Sequence, residues 1–193
     1  VVSEVWVNYF VQSKWSQGNG IYNYYTPYIT KDSYTFNEAG NPNNVVCGCV
    51  ATATAQVPRY FQWPQQGVGI IEGSCNVTLA DPNKEPVAIS VKHNLRGGDG
   101  QGGAYDWSVM TLTPGSNESA ETLQQIGALC LDAGLSVNMG YNSGNKGSSA
   151  AGLGSSPFTK FFKYAGAKGS NGNQFDFARA NLDARRPIGV SIS

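Results

Sequence analysis

The sequence has little charge, one histidine and no long apolar run. Only 13% of its 193 residues are charged, and 13 basic residues balance 13 acidic ones. A balanced chain of this kind offers no electrostatic footprint for nucleic acid or for an anionic membrane. No apolar run approaches the roughly 20 residues that cross a bilayer. We therefore expect neither a nucleic-acid partner nor a membrane span.

Cysteine is also scarce, with thiols at Cys47, Cys49, Cys75 and Cys130. Four cysteines in a chain of this length do not make a disulfide-dense scaffold. Cys47 and Cys49 lack a second pair at metal-ligand spacing, so neither zinc nor any other cofactor is expected. Cys75 falls in a Gly/Ser-flanked segment that predicts a loop, and Cys130 falls in a helical pattern. Both are expected to be structural, and the sequence leaves a Cys47–Cys75 bridge open.

Glycine and aromatic residues are plentiful instead: 24 glycines, and aromatic side chains at 11% of positions. This composition indicates a loop-rich globular chain with enough residues for one domain and a substantial core. The first residues, Val1-Val2-Ser3-Glu4, include no initiator Met and are typical of a processed N terminus.

Hydrophobic periodicity predicts the order of the elements. We expect helices over 5–15, from Cys49 onward, over 119–131 and over 175–186. Pro58 is expected to bend or end the second of these helices, and Gly134 to cap the third as a left-handed residue. An irregular or hairpin region is expected within 65–104, and a strand over 187–193.

The stretch from Gly48 to Gln56 is unusual because a Gly-Cys pair precedes a run of small residues that suits a helix. A thiol at the first turn of a helix lies at the positive end of the helix dipole, which favours the reactive thiolate. Cys49 is therefore a candidate nucleophile. From this stretch alone, a small buried apolar residue is the more frequent outcome for a free cysteine.

The same stretch, followed by Arg59-Tyr60 and Trp63-Pro64, resembles the nucleophile helix of the streptopain-like cysteine peptidases. The resemblance implies an α+β papain-like fold, in which 1–193 forms the N-terminal part of the catalytic domain: the helical half and the first strands of the antiparallel sheet half. It also implies bacterial origin, synthesis as a zymogen, secretion or attachment to the cell envelope, polypeptide substrates, and Cys49 as nucleophile.

The segment Trp15-Ser16-Gln17-Gly18-Asn19 resembles the second signature of these peptidases. By this resemblance, the Gln17 amide helps to form the oxyanion hole, a task that needs a donor aimed at the developing charge. Residues 135–141 resemble the strand of these peptidases that enters the substrate cleft, which implies a strand there. The Gly/Ser-rich segment 142–149 resembles the loop that lines the subsite next to the scissile bond, and Ser148 is the nearest equivalent of its substrate-binding residue. A plain loop is the alternative for that segment.

A cysteine peptidase also needs an imidazole to exchange a proton with the thiol. The single histidine, His93, lies in the wrong sequence context for this role and is expected to be a surface or loop residue. Two hypotheses follow. In the first, internal cleavage of a precursor leaves the catalytic histidine on a C-terminal companion chain that completes a cysteine endopeptidase. In the second, the chain is an inactive relative that acts as a binding or inhibitor-like module.

Overall fold

The structure is a computed structural model, and it describes residues 9–143, 148–150, 152–169 and 174–189. Its helices are α1 (Cys49–Phe61), α2 (Ala120–Ser136) and α3 (Gln174–Asp183), with one π-helical turn at Pro157–Phe161. Its strands are β1 (Tyr28–Ile29), β2 (Tyr34–Thr35), β3 (Glu72–Leu79), β4 (Val87–Asn94), β5 (Gly140–Asn142) and β6 (Ser148–Ser149). The predicted α+β architecture is confirmed.

Helix α1 forms the centre of the molecule and begins at Cys49, as predicted. Small side chains on its buried face, among them Ala51 and Ala55, allow the helix to pack against α2. Pro58 does not end it: the helix continues to Phe61, although the proline has no N–H to donate to the carbonyl one turn earlier. The helix ends instead at Gln62, whose φ of 49° is left-handed.

Helix α2 is longer than predicted, and it is buried from Ile126 to Leu135. Its N-cap is confirmed: the Ser119 hydroxyl accepts a hydrogen bond from the Thr122 N–H at 3.1 Å. The prediction that Gly134 caps its C terminus was wrong, because the helix continues to Ser136. Gly134 has another role inside the helix: a Cβ at this position would overlap the Tyr141 hydroxyl, so only glycine lets β5 approach.

The main sheet has the strand order β4-β3-β5-β6. The expected hairpin is the antiparallel pair β3–β4, and it places Cys75 on β3 rather than in the predicted loop. The β3–β5 pair is parallel, since the chain returns to the sheet through α2. The strand predicted over 135–141 begins only at Gly140, because the preceding residues extend α2.

The helix predicted over 5–15 was wrong for Tyr9 to Trp15, the part that the structure describes. This segment is extended and bonds to a distant loop: the Lys14 N–H donates to the Leu112 carbonyl at 2.7 Å, and the Trp15 indole donates to the Thr111 carbonyl at 3.0 Å. Burial of Trp15 therefore follows from a tertiary contact rather than from a helical face.

The C-terminal part of the described chain is less well packed. Phe161 and Phe162 are buried, and α3 overlaps the helix predicted over 175–186 but begins one residue earlier and ends three residues earlier. Of the strand predicted over 187–193, residues 187–189 are irregular, and 190–193 lie outside the described residues. Within the described ranges, we find no helix whose length and apolarity would let it cross a membrane.

Candidate active site

Cys49 is exposed at the first residue of α1. Gly48, directly before it, has φ 94° and ψ 150°, a conformation that side-chain-bearing residues rarely adopt. A Cβ on Gly48 would also overlap the side chains of Ser148 and Met139. Glycine at position 48 is thus required by the fold because it allows the tight entry into α1, and the Cys49 thiol emerges at the positive end of the helix.

Gln17 lies next to this turn. The Cys47 N–H donates to the Gln17 carbonyl at 2.8 Å, so the loop around Gln17 runs alongside the residues that lead into Cys49. The Gln17 side chain itself is exposed. The structure therefore brings together the two candidate residues that the sequence separates by 32 positions.

A buried pair of asparagines fixes the same arrangement, and the sequence analysis did not identify it. The Asn23 amide donates to the Asn44 carbonyl at 2.8 Å, and the Asn44 amide donates back to the Asn23 carbonyl at 3.2 Å. Thr26 also donates to the Val45 carbonyl. Asparagine is common in surface loops, so its presence alone does not indicate a buried pair of side chains that holds two loops together.

Ser148 reaches the site from strand β6, where it pairs with Tyr141 of β5. Its hydroxyl oxygen is buried and has no hydrogen-bond partner among the described residues. Because Ser148 lies against Gly48, the strand borders the nucleophile turn. The structure thus places the third candidate residue beside the first, although most of the intervening loop, 144–147, lies outside the described residues.

The other three thiols are buried and unbridged, so the Cys47–Cys75 bridge is absent. Burial raises the pKa of Cys75 to about 12. The Cys130 thiol beside Cys47 lowers the pKa of Cys47, and the pKa of Cys130 is raised by the same contact and by burial. Neither thiol of this pair is accessible, which leaves Cys49 as the exposed sulfur.

His93, expected to be a surface or loop residue, lies half-buried on strand β4 rather than in a loop, with its Nδ1 at 2.7 Å from the Asn94 carbonyl oxygen. Strand β4 is one edge of the sheet, and β6, which borders Cys49, is the other. Three inter-strand steps of about 4.8 Å separate the two edges by about 14 Å. The chain's single histidine therefore lies at the opposite edge of the sheet from Cys49, too far away to exchange a proton with its thiol.

The arrangement contains a nucleophile and hydrogen-bond donors, which are some of the groups that an acyl-transfer site needs. It presents an exposed thiol and the first backbone N–H groups of α1, which have no partner within the helix. It also presents an amide-bearing residue on a loop bonded to the nucleophile turn. These groups are suited to attack a carbonyl and to stabilise the resulting oxyanion.

Comparisons with known proteins agree with this geometry. The model of the peptidase C10 family matches residues 15–193. Streptopain of Streptococcus pyogenes is 32% identical over 140 residues, which cover 70% of this chain and 32% of that protein. The chain thus spans about a third of the length of this curated relative.

Two solved structures share the fold. Active wild-type interpain A, a cysteine protease of Prevotella intermedia, superposes with a TM-score of 0.63 at 24% identity, covering 92% of this chain and 65% of that one. A prointerpain A fragment from the same organism gives a TM-score of 0.62 at 24% identity, covering 91% of this chain and 51% of that one. The fold is therefore that of the papain-like cysteine proteases, and by its sequence the chain belongs to the peptidase C10 family.

Proposed function

We propose that the chain supplies the nucleophile and the oxyanion hole of a cysteine endopeptidase. The observation that carries this proposal is the exposed thiol of Cys49 at the start of α1, with the Gln17 loop bonded to the residues just before it. In this proposal, residues 1–193 are the N-terminal portion of a papain-like catalytic domain. Secretion or attachment to the bacterial cell envelope belongs to the same proposal.

The reaction is hydrolysis of a peptide bond. The Cys49 thiolate attacks the scissile carbonyl carbon, and the carbonyl oxygen takes up the negative charge. The Gln17 amide and the Cys49 backbone N–H donate hydrogen bonds to that oxygen. A protonated imidazole then gives its proton to the leaving amine, and the acyl-enzyme forms. Water, deprotonated by the same imidazole, releases the acid and restores the thiol.

Ser148 is proposed to bind the substrate next to the scissile bond. Strand β6 lies against Gly48, so an extended peptide that reaches Cys49 passes along it. The Ser148 hydroxyl has no hydrogen-bond partner among the described residues, although it is buried. An unpaired buried hydroxyl is costly, and a peptide group of the substrate would provide the missing partner.

The imidazole is proposed to come from outside these 193 residues, on a companion chain that internal cleavage of a precursor produces. His93 is too distant for the role, and the chain covers 65% of the active interpain A chain. Mass spectrometry of the native protein tests the idea. We expect a second polypeptide that carries a histidine; a histidine found further along the same uninterrupted polypeptide would refute the cleavage.

The identity of the nucleophile is tested in the complete native enzyme by comparing two cysteines that are two positions apart. Cys49→Ala should abolish peptide hydrolysis and labelling by a thiol-directed epoxide inhibitor. Cys47→Ala should retain both, because the Cys47 side chain is buried. The opposite result would shift the active-site assignment by two residues.

Absence of labelling in the wild-type assembly would instead favour the inactive binding module, to which the remoteness of His93 also points.

Gln17→Ala tests the oxyanion hole. Removal of one such donor typically costs about 2.7–4 kcal/mol, or roughly 10²–10³ in kcat. Gln66→Ala, which alters another exposed glutamine, is the matched control and should leave kcat unchanged. An unaltered kcat for Gln17→Ala, with both proteins folded by circular dichroism, would remove Gln17 from the mechanism.

A further inference from the structure

The Thr52 side chain connects the loop that carries Gln17 to the turn that carries Cys49, although it is not itself one of the proposed catalytic groups. It lies one turn into α1, and only 6% of its surface is exposed. Its hydroxyl oxygen is 3.0 Å from the Ser16 carbonyl oxygen and 2.9 Å from the Gly48 carbonyl oxygen. Ser16 directly precedes Gln17, and Gly48 directly precedes Cys49.

The hydroxyl has one proton, so the two carbonyls compete for it. The Gly48 carbonyl already accepts the Thr52 backbone N–H at 2.9 Å, as expected in the first turn of a helix. The Cys47 sulfur, 3.2 Å from the Thr52 hydroxyl oxygen, can donate its own proton to that oxygen. The assignment that satisfies most groups is therefore a chain in which Cys47 donates to Thr52 and Thr52 donates to Ser16.

This bond acts together with a backbone bond that joins the Gln17 loop to the residues before Cys49. The backbone bond is that of the Cys47 N–H to the Gln17 carbonyl at 2.8 Å. One bond alone leaves the loop free to rotate about it, whereas bonds to two consecutive carbonyls, those of Ser16 and Gln17, fix the plane of the peptide between them. The backbone that carries the Gln17 side chain is then held in one orientation relative to Cys49.

We propose that Thr52 is a positioning residue for the oxyanion hole: its buried hydroxyl bonds to the Ser16 carbonyl and thereby holds the Gln17 amide in line with Cys49. This inference rests on the proposed peptidase function. Thr52 contacts no substrate, so its loss should lower kcat with little change in KM. Misplacement of a catalytic group by about 1 Å can cost up to about 100-fold in rate.

The chain offers a matched set of variants for the test. Thr52→Val keeps the shape and removes the hydroxyl, and Thr52→Ser keeps the hydroxyl. Thr54→Val is the control: Thr54 is on the same helix and fully buried, and its hydroxyl has no hydrogen-bond partner among the described residues. In the complete enzyme we expect kcat to fall by roughly 10- to 100-fold in Thr52→Val. Thr52→Ser should lose less than about threefold, and Thr54→Val should not change.

The double variant decides whether Thr52 acts through Gln17. If it does, Thr52→Val should have little further effect on kcat once Gln17 is replaced by Ala, because no amide remains to be positioned. Equal effects of Thr52→Val in both backgrounds would overturn the proposal, and so would a Thr52→Ser variant as slow as Thr52→Val. A change in melting temperature shared by Thr52→Val and Thr54→Val would be attributed to helix packing alone.

A readout independent of activity separates this inference from the proposed function. Hydrogen exchange at the Cys47 amide reports the bond to the Gln17 carbonyl, and it should accelerate in Thr52→Val but not in Thr54→Val. Unchanged exchange in Thr52→Val would overturn the positioning role even if the enzyme is a peptidase. If instead Gln17→Ala and Cys49→Ala leave hydrolysis unaffected, it is the proposed function that fails.

Discussion

Helices α2 and α3 both carry an apolar stripe, but their environments differ. Most of α2 is buried, including Leu129 and the carboxylate of Asp132. None of the described side chains of α3 is fully buried; Phe175 is 71% exposed and Leu182 is 42% exposed. A hydrogen bond from the Tyr60 hydroxyl to the Arg185 carbonyl joins the segment after α3 to α1.

The comparison shows that forming a helix and burying it are separate events. Periodicity and helix propensity suffice to form both helices. Burial of α2 requires α1 on one side and β3 on the other, so it depends on residues far away in the sequence.

The largest difference between the two helices is expected in the free energy of unfolding that is lost when a leucine is replaced by alanine. Leu129→Ala in α2 removes fully buried methyl groups and should lower the free energy of unfolding by about 2–5 kcal/mol. Leu182→Ala in α3 should cost less than about 1 kcal/mol, because this side chain is already 42% exposed in the folded state. Urea denaturation measures both, and similar losses would mean that α3 is buried in solution.

A second difference is expected in the pH dependence of stability. Asp132 accepts bonds from the Arg96 and Gly97 N–H groups at 2.6 and 2.8 Å and from the Tyr105 hydroxyl, but full burial outweighs them and raises the pKa of its carboxyl to about 6. The folded state therefore binds this proton more tightly than the unfolded chain does. Its contribution to stability is complete below about pH 4 and is lost as pH rises to about 6, a change of about 3 kcal/mol.

The slope of unfolding free energy against pH, rather than its absolute value, is the readout for Asp132. Asp132→Asn should flatten the slope between about pH 4 and pH 6, because the amide does not titrate there. The control is Asp183→Asn in α3, where the partner Arg179 is 3.7 Å away and both side chains are exposed. Asp183→Asn should keep the wild-type slope. A flattened slope in both variants would show that Asp132 is not the source of the pH dependence.

The smallest of the three expected differences is in the stability cost of replacing a glycine by alanine. Gly134→Ala in α2 would place a Cβ against the Tyr141 hydroxyl and should cost about 1–3 kcal/mol through overpacking. Gly166→Ala, in the segment before α3, has open space around the new methyl group and should change stability by less than about 0.5 kcal/mol. Thermal unfolding of the two variants measures the contrast; equal melting temperatures would show that β5 can shift to accommodate the methyl group.

Much of the fold was predictable because its signals are local. The start of α1 at Cys49, the β3–β4 hairpin and the Ser119 cap follow from residue patterns within a single turn or hairpin. The errors have a common cause. The helical spacing before Trp15 was overridden by Thr111, a partner far along the chain, and the apparent cap at Gly134 by contact with Tyr141 on the neighbouring strand β5.

The candidate site divides in the same way. Cys49 and Gln17 could be identified from motifs, since the chemistry needs these residue types and the sequence places them in unusual contexts. Thr52 could not, because a threonine inside an alanine-rich helix carries no sign of a bond to a loop 36 residues earlier. The remoteness of His93 also became evident only from the strand order.

Residue chemistry alone therefore decided that this chain carries a thiol at a helix start, a lone histidine and a C10-type pair of motifs. The tertiary structure decided that the thiol is the accessible one of four, that the Gln17 loop is held beside it, and that the histidine lies across the sheet. The physical reason is that reactivity depends on side-chain chemistry and local helix geometry, whereas accessibility and proximity depend on which distant segments pack together.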